Sequence, residues 1–404
     1  MSNKQALDGV KVVDFSWVIA GPITTKHLAD HGAEVIRIES SDHPDTIRSY
    51  TPYKDGIPGI NRSAFFASFN SNKYSVNLNI RDPRGMDIAK ELIARGDVVV
   101  ENFTPGVMDR LGIGYQDIKQ IKPDIIMASA GMQGATGPHC KHPGFGLMLQ
   151  CLAGFASVTG WPDGEPFSPM TYIDFIPPWY LVVAIVIALD HRNKTGKGQH
   201  IDLSQLESGI QFLAPGILDY TANGRVQGRE GNRAHSSAPH GIYHCQEVER
   251  WCSIAVENDE EWVSFCRVID NPSWTQDPKF ATFLGRKENE DELDRLIREW
   301  TVNHSAEEVM TLMQESGVPA GVVYNSEDFH HDPQLKHRGH FWVLDHPEIG
   351  PYSNDGPSFR LSKTPAHLHM PSPCLGEHNE YVCCNLLGMS DEEFTDLLQA
   401  GVIK

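Results

Sequence analysis

The sequence predicts an α/β protein: a large Rossmann-like domain around a parallel sheet, plus a smaller α/β domain. Three observations carry this. Short apolar β-type runs alternate with helical stretches through the first half of the chain. A stretch rich in Gly, Arg, Asn and Ser at 224–237 then breaks the pattern. Beyond it the texture changes to short β runs followed by acidic amphipathic helices.

Taken in order, residues 11–15 form a β-type run, Ala20-Gly21-Pro22 opens a helix reaching about Gly32, and 33–39 is a second strand. This is a β-α-β unit of a parallel sheet. A helix from Asp82-Pro83 to Arg95 and strands at 97–101 and 124–128 continue the alternation, and ligands of such an open sheet lie beyond the carboxyl ends of its strands. An apolar helix at 179–192 ends in a basic turn, 201–203 is the next strand, and Ser204 caps a helix to about Thr221. In the smaller domain, 241–244 and 251–256 are β-like, and helices cover about 260–268, 288–303 and 306–316. A last helix covers about 391–400. The organisation read from this is a large domain at 1–205, a connecting segment at 206–230, a small domain at 231–325 and a return to the large domain at 326–404.

The length of 404 residues fits about two domains. With 40% hydrophobic and 22% charged residues, the composition is that of an ordinary globular protein. The start, Met1 to Gly9, has no apolar core of a signal peptide, and the longest apolar run, Trp179 to Leu189, is too short to span a bilayer. A cytoplasmic enzyme is therefore expected. Eight cysteines without a Cys-x-x-Cys pair fit reduced thiols, neither a metal cage nor a disulfide framework. A net charge of −19 repels nucleic acid and anionic membrane, while a small anion can still bind where local cations and helix N-termini oppose that field.

The chemistry-bearing residues are few. The first β-α turn reads Trp17-Val18-Ile19-Ala20-Gly21-Pro22 and lacks Gly-x-Gly-x-x-Gly, so a nicotinamide dinucleotide is not expected, although Glu39 ends the second strand where a ribose-binding acid would stand. No His pair on a helical face suggests a metal, and no Gly-x-Ser-x-Gly elbow suggests a serine nucleophile. Lys73 and Arg110 are candidates for phosphate contacts, or solvated surface charges. Most informative is Met170-Thr171-Tyr172-Ile173-Asp174-Phe175-Ile176-Pro177-Pro178-Trp179, an acid among apolar and aromatic residues before an apolar helix. Asp174 in that place is either the N-cap of the helix or a desolvated carboxylate with a perturbed pKa, able to act as a nucleophile.

Several segments together resemble the class III CoA-transferases, the family of formyl-CoA, carnitine and benzylsuccinate CoA-transferases. They are Leu7 to Asp14, Ala20-Gly21-Pro22, Gly32 to Glu39, Asn70 to Ser75, Glu101 to Gly106, Asp109 to Gly112, Thr195 to Gln199 and Leu375-Gly376-Glu377-His378. The resemblance runs over nearly the whole chain and puts Asp174 on the family's catalytic aspartate. It implies a large domain built from both chain ends, and two protomers interlocked like rings, as a homodimer or a heteromer with a related subunit. No permanent cofactor is implied. Coenzyme A, as acyl-CoA substrate, would be contacted by Val18, Ile19, Ala20, Lys73, Asn102, Phe103 and Arg110. The implied mechanism is a covalent relay through an aspartyl mixed anhydride and an aspartyl-CoA thioester.

Departures from the family narrow the reading. Racemases of this fold use a His-Asp pair where this chain has Phe145-Gly146, which cannot move protons, although a slip of register would bring His142 to that place. Ile19 replaces a glutamine and Ser40 an arginine of the formyl-CoA enzyme, and Gly228, Gly231 and Gly241 are only loose counterparts of its glycine lid. Trp17, Phe145, Gly146 and Gly241 are the expected substrate pocket. With Ile19, Phe175 and Trp179 also apolar, an acceptor with a bulky part is expected, such as an aryl-substituted succinate taking CoA from succinyl-CoA. The alternatives are acyl-CoA epimerisation and a non-catalytic CoA-binding subunit.

Overall fold

The computed structural model describes residues 4–404, so the first three residues of the expected start, Met1 to Asn3, lie outside it. The chain divides into two compact units. Of the described residues, one comprises 4–156, 168–226 and 334–404, the other 157–167 and 227–333.

The large unit is built on six parallel strands, β1 (Lys11–Asp14), β2 (Glu34–Glu39), β3 (Lys73–Asn77), β4 (Val98–Glu101), β5 (Ile126–Gly131) and β6 (His200–Ser204). Their order is β3-β2-β1-β4-β5-β6, the doubly wound order that reverses between β1 and β4. Because strand side chains alternate between faces, each short strand feeds two cores. On one face Val13, Ile36, Val99 and Met127 pack with Ile88, Leu92 and Ile93; on the other Val12, Val35, Val98 and Ile126 pack with Leu28, Leu181 and Ile185. Fully burying each such side chain contributes about 1.5–3 kcal/mol before entropy is counted.

The helices are α1 (Ala20–Asp30), α2 (Pro83–Arg95), α3 (Val107–Arg110), α4 (Gly146–Leu152) and α5 (Pro177–Thr195). For α2, Asp82 caps the first turn by accepting from the Arg84 amide and Pro83 takes the position where a missing N–H costs nothing. α5 begins with Pro177 and Pro178 and ends at Gly196 in the left-handed conformation. It is longer than the expected 179–192, because it starts at Pro177 and runs on through Asn193, Lys194 and Thr195. With the turn before it, 172–195 is long and apolar enough to cross a membrane, but half of that window is buried inside the protein, with Leu181, Ile185 and Ala188 against the sheet.

The second unit carries an antiparallel sheet, β7 (His240–His244), β8 (Trp251–Ala255) and β9 (Ala320–Val322), with α6 (Asp259–Val268), α7 (Glu290–Thr301) and α8 (Ala306–Glu315). Asn258 and Ser305 cap α6 and α8, and Tyr243, Ile254, Phe265, Ile297 and Val309 form its own core. It differs from the expected 231–325 by running from 227 to 333 and by taking in 157–167, where the Gly231 amide bonds the Gly160 carbonyl. Of the expected connecting segment 206–230, residues 206–226 belong to the large unit and are helical to Asn223: Ser204 caps Gln205–Ile210, and Pro215 sits in the first turn of a separate helix, Ala214–Asn223. The chain then returns to the large unit through the hairpin β10 (Phe341–His346) and β11 (Gly350–Asp355) and ends with α9 (Asp391–Gln399). Val382, Cys383, Val402 and Ile403 complete the first core.

Candidate active site

A sheet whose order reverses between β1 and β4 splays the loops after these two strands apart and leaves a crevice at their carboxyl ends. Trp17 to Ala20 follow β1, Asn102 to Pro105 follow β4, and both segments line one cavity of about 310 Å³. Asp174, Phe145, Gly146, His142 and Gln205 complete much of its wall. Of the expected site residues, Trp17, Val18, Ile19, Ala20, Asn102, Phe103, Phe145, Gly146 and Asp174 are thus brought together.

The β1–α1 turn is held residue by residue. The amide and hydroxyl of Ser16 both donate to Asp14 Oδ1. Asn102 accepts from the Trp17 amide and donates to its carbonyl, each at 2.8 Å. Val18 has φ +68°, a left-handed conformation that a β-branched residue avoids and that costs on the order of 1–3 kcal/mol. Its amide donates to both oxygens of Asp45, at 3.1 and 3.0 Å. Gly21 then lets α1 lie against Ser16, since a Cβ there would come within 2.2 Å of Ser16 Cβ. Behind the turn lie three buried carboxylates, Asp14, Glu39 and Asp45, matched by Arg37, Arg48 and Lys73.

One expectation is corrected by this network, and one residue whose position was only suggestive finds its partners. Lys73 makes no phosphate contact here: its side chain is fully buried, and its ammonium bonds the Pro22 carbonyl and Asn70 at 2.9 Å and Asp14 at 3.3 Å. Burial pulls it down to about 7, against the opposing charge of Asp14. Glu39 is no ribose acid, because Arg37 and Arg48 occupy both its oxygens.

The opposite wall is made differently. Asp174 sits in a single 3-10 turn, Tyr172–Phe175, anchored by buried Ile173, which packs with Leu149 and Ile176. Gln150 of α4 accepts from the Ile173 amide at 3.3 Å and so fixes the turn. The N-cap of α5 is Ile176 with no side-chain bond, so Asp174 does not cap that helix. Burial alone pushes its carboxyl up to about 6, and among the described residues no hydrogen bond or cation offsets it. Gly146 lies directly against it: a Cβ at that position would stand 2.5 Å from Asp174 Oδ2. An ionised carboxylate so placed has lost part of its hydration without gaining a donor, which raises its nucleophilicity.

Other expected residues lie elsewhere. Arg110 is exposed at the end of α3, beside Gly106 and outside the cavity lining. Gly241 is in β7 of the second unit and lines a cavity there with His240 and Arg233; Gly228 and Gly231 belong to the same unit. Phe175 rests on Phe69 and Trp179 on His27, and neither lines the cavity. Sequence reading missed Gln205, which follows β6 at the same end of the sheet and donates to the Ala130 carbonyl. It also missed Asp45, whose only signal was its position before the short turn Thr46–Ser49 that it caps.

Comparison with known proteins places these features in a family. The family model described as "CoA-transferase family III" matches residues 7–379. The human succinyl-CoA:glutarate CoA-transferase is 32% identical over 404 residues, all of this chain and 91% of the human protein. The succinyl-CoA–D-citramalate CoA-transferase of Chloroflexus aurantiacus is 31% identical over 98% of each chain. A crystal structure of a CAIB/BAIF family protein from Brucella suis superposes with a TM-score of 0.87 at 31% identity, covering 95% of this chain and 100% of that one. The chain belongs to CoA-transferase family III and is a CoA-transferase.

Proposed function

We propose that this enzyme moves CoA from succinyl-CoA to a dicarboxylic acid, with Asp174 as the covalent carrier. The observation that carries the reading is a half-buried carboxylate without a hydrogen-bond donor, in a cavity formed at the switch point of the sheet. Asp174 attacks the thioester carbonyl, the C–S bond breaks, and CoA thiolate leaves a mixed anhydride. The thiolate then attacks the Asp174 carbonyl and expels succinate, forming an aspartyl-CoA thioester. The acceptor carboxylate displaces the thiolate to give a second anhydride. Attack of the thiolate on the acceptor's acyl carbon releases the new thioester and restores the Asp174 carboxylate. Each step exchanges one activated acyl bond for another, so held geometry and exclusion of water are what the protein supplies. The Trp17 and Val18 amides are engaged by Asn102 and Asp45, so it is the amides after them, at Ile19 and Ala20 where α1 starts, that suit the CoA side of the cavity.

The relatives named above use succinyl-CoA with glutarate or citramalate, which supports a dicarboxylic acceptor. Among the residues lining the cavity, His142 is the one side chain able to carry positive charge, and it suits the acceptor's second carboxylate. Trp17, Ile19, Phe103 and Phe145 give the wall a large apolar part beside the polar Asn102, Thr104 and Gln205, which favours an aryl-substituted succinate such as benzylsuccinate. The same reading gives the enzyme a related second copy, interlocked with the first. Val183, Val186 and Ile187 are exposed at helical spacing on α5, and a partner of this kind would cover them.

The test is chemical. Succinyl-CoA followed by hydroxylamine should leave a hydroxamate on the peptide containing Asp174, and none in Asp174→Asn, which should lose transfer by about 10⁴-fold or more, as expected for an enzyme without its nucleophile. Full activity of Asp174→Asn rejects the carrier role. Exchange of the α-hydrogen with deuterated water in the absence of an acceptor would instead identify an epimerase. Glutarate, citramalate and benzylsuccinate offered as competing acceptors decide the substrate.

A further inference from the structure

We infer that Asp45 is a positioning residue for this site, acting through the backbone of Val18. The inference rests on the reading that the Trp17 to Ala20 turn meets the CoA thioester.

A non-glycine residue stays in the left-handed conformation only if its surroundings determine it, and such strain gathers where geometry matters for binding. Val18 lies at the point where the chain leaves β1 and reverses into α1, and it lines the cavity. What opposes its relaxation is the Asp45 carboxylate, which takes the Val18 amide on both oxygens. Asp45 is itself immobile: it is fully buried, it accepts from the Ile47 amide at 3.1 Å, and Arg37 Nη2 reaches it at 2.6 Å. Arg37 also donates to the Ser16 carbonyl at 2.8 Å, so one guanidinium ties both ends of the strained step. The neighbouring Trp17 is clamped independently by Asn102, which leaves the Val18 peptide as the step that depends on Asp45. In nucleotide-binding turns glycine supplies this freedom; here a carboxylate bond to a valine does so.

The test is a double-mutant cycle with Asp45→Ala, Val18→Gly and the pair, using the full enzyme at a temperature where all variants are folded. Asp45→Ala should raise KM for succinyl-CoA at least tenfold, with a smaller change in kcat, and speed amide hydrogen exchange in the peptide spanning residues 15–23. Glycine occupies the left-handed region without Asp45, so in the Val18→Gly background the same Asp45 change should raise KM no more than about threefold. Equal losses in both backgrounds, or unchanged exchange in the turn, overturn the inference. Should Asp45→Ala not fold, Asp45→Asn takes its place in the cycle with the same criteria, because it keeps the volume and loses one acceptor and the charge. Binding of CoA itself, measured by calorimetry, keeps the outcomes apart: a coupled loss of CoA affinity upholds the inference even where Asp174→Asn retains activity and the carrier reading fails.

Discussion

Asp45 and Asp174 are two carboxylates withdrawn from water within the same unit, and they are treated in opposite ways. Asp45 accepts from two backbone amides and a guanidinium, and it belongs to a network of three buried acids and three buried cations. Asp174 has neither a donor nor a cation among the described residues, and burial alone perturbs it. A fully partnered carboxylate fixes backbone, because every movement breaks a bond in a low-dielectric setting. An unpartnered one is costly to the fold and available to chemistry. The two walls of the cavity therefore divide the labour: the turn after β1 is over-determined, and the nucleophile candidate opposite is left free.

The largest effect should come from breaking the partnered side. Arg37 contacts Asp14, Glu39 and Asp45 together, all of them fully buried. Glu39 keeps Arg48 and Asp14 keeps Lys73, but Asp45 has no second cation among these pairs. Arg37→Met, which removes the charge and retains much of the volume, should destabilise the protein by about 3–5 kcal/mol, the usual cost of leaving a buried charge unpaired. Urea unfolding measures this directly. A loss below about 1 kcal/mol would mean that the network contributes little to stability and that Val18 is held by something else.

The unpartnered side should respond with the opposite sign, and pH exposes it. Asp174 is raised from 3.8 to about 6, so the folded state binds its proton more tightly than the unfolded chain does. Its unfavourable contribution is absent below pH 4, grows as pH rises, and is complete above the folded value. There it costs on the order of 2 kcal/mol. Asp174→Asn should therefore be more stable than the parent near pH 7.5, with the difference shrinking as pH falls to 4.5. In the parent, kcat/KM for the donor should fall below about pH 6, where the carboxylate takes up its proton. A variant no more stable than the parent at any pH would show that Asp174 is better solvated than its place in the cavity indicates.

The same contrast explains what could be read from the sequence. Asp174 was legible because its neighbours are local: an acid between Ile173 and Phe175, before two prolines and an apolar helix, stands out in one dimension. The strands β1, β2, β4, β5 and β6 were legible from apolar runs, and α2 from its start at Asp82-Pro83. The partnered wall was not. Asp45 meets Val18 across 27 positions and Arg48 lies close to Pro373, contacts that no pattern of spacing encodes. Lys73 was misplaced for the same reason, since a lysine at the head of a strand reads as surface until its three partners are known. β3 begins at that lysine and was passed over with it. The family resemblance supplied the order of the motifs, and in one of them, Asn70 to Ser75, the structure buries Asn70, Ser71, Asn72, Lys73 and Ser75.

The smallest effect expected is within the unpartnered wall, where Gly146 faces Asp174. Its φ is not in the left-handed region, so conformation does not require glycine; space does. The Cβ of Gly146→Ala would stand 2.5 Å from Asp174 Oδ2 and 2.9 Å from Thr171 Cγ2, closer than such contacts allow, so the carboxylate or the helix start must shift. Gly146 opens α4, where alanine is better tolerated than glycine, so stability should change by less than about 1 kcal/mol. Activity should fall more than stability does. A misplaced nucleophile costs rate steeply, and a drop in kcat of about tenfold or more is expected with KM for succinyl-CoA nearly unchanged. Steady-state kinetics beside thermal unfolding separates the two. A loss carried by KM would place the crowding on the bound thioester, and an unchanged kcat would mean that Asp174 has room to turn away, so that the free carboxylate is mobile as well as unpartnered.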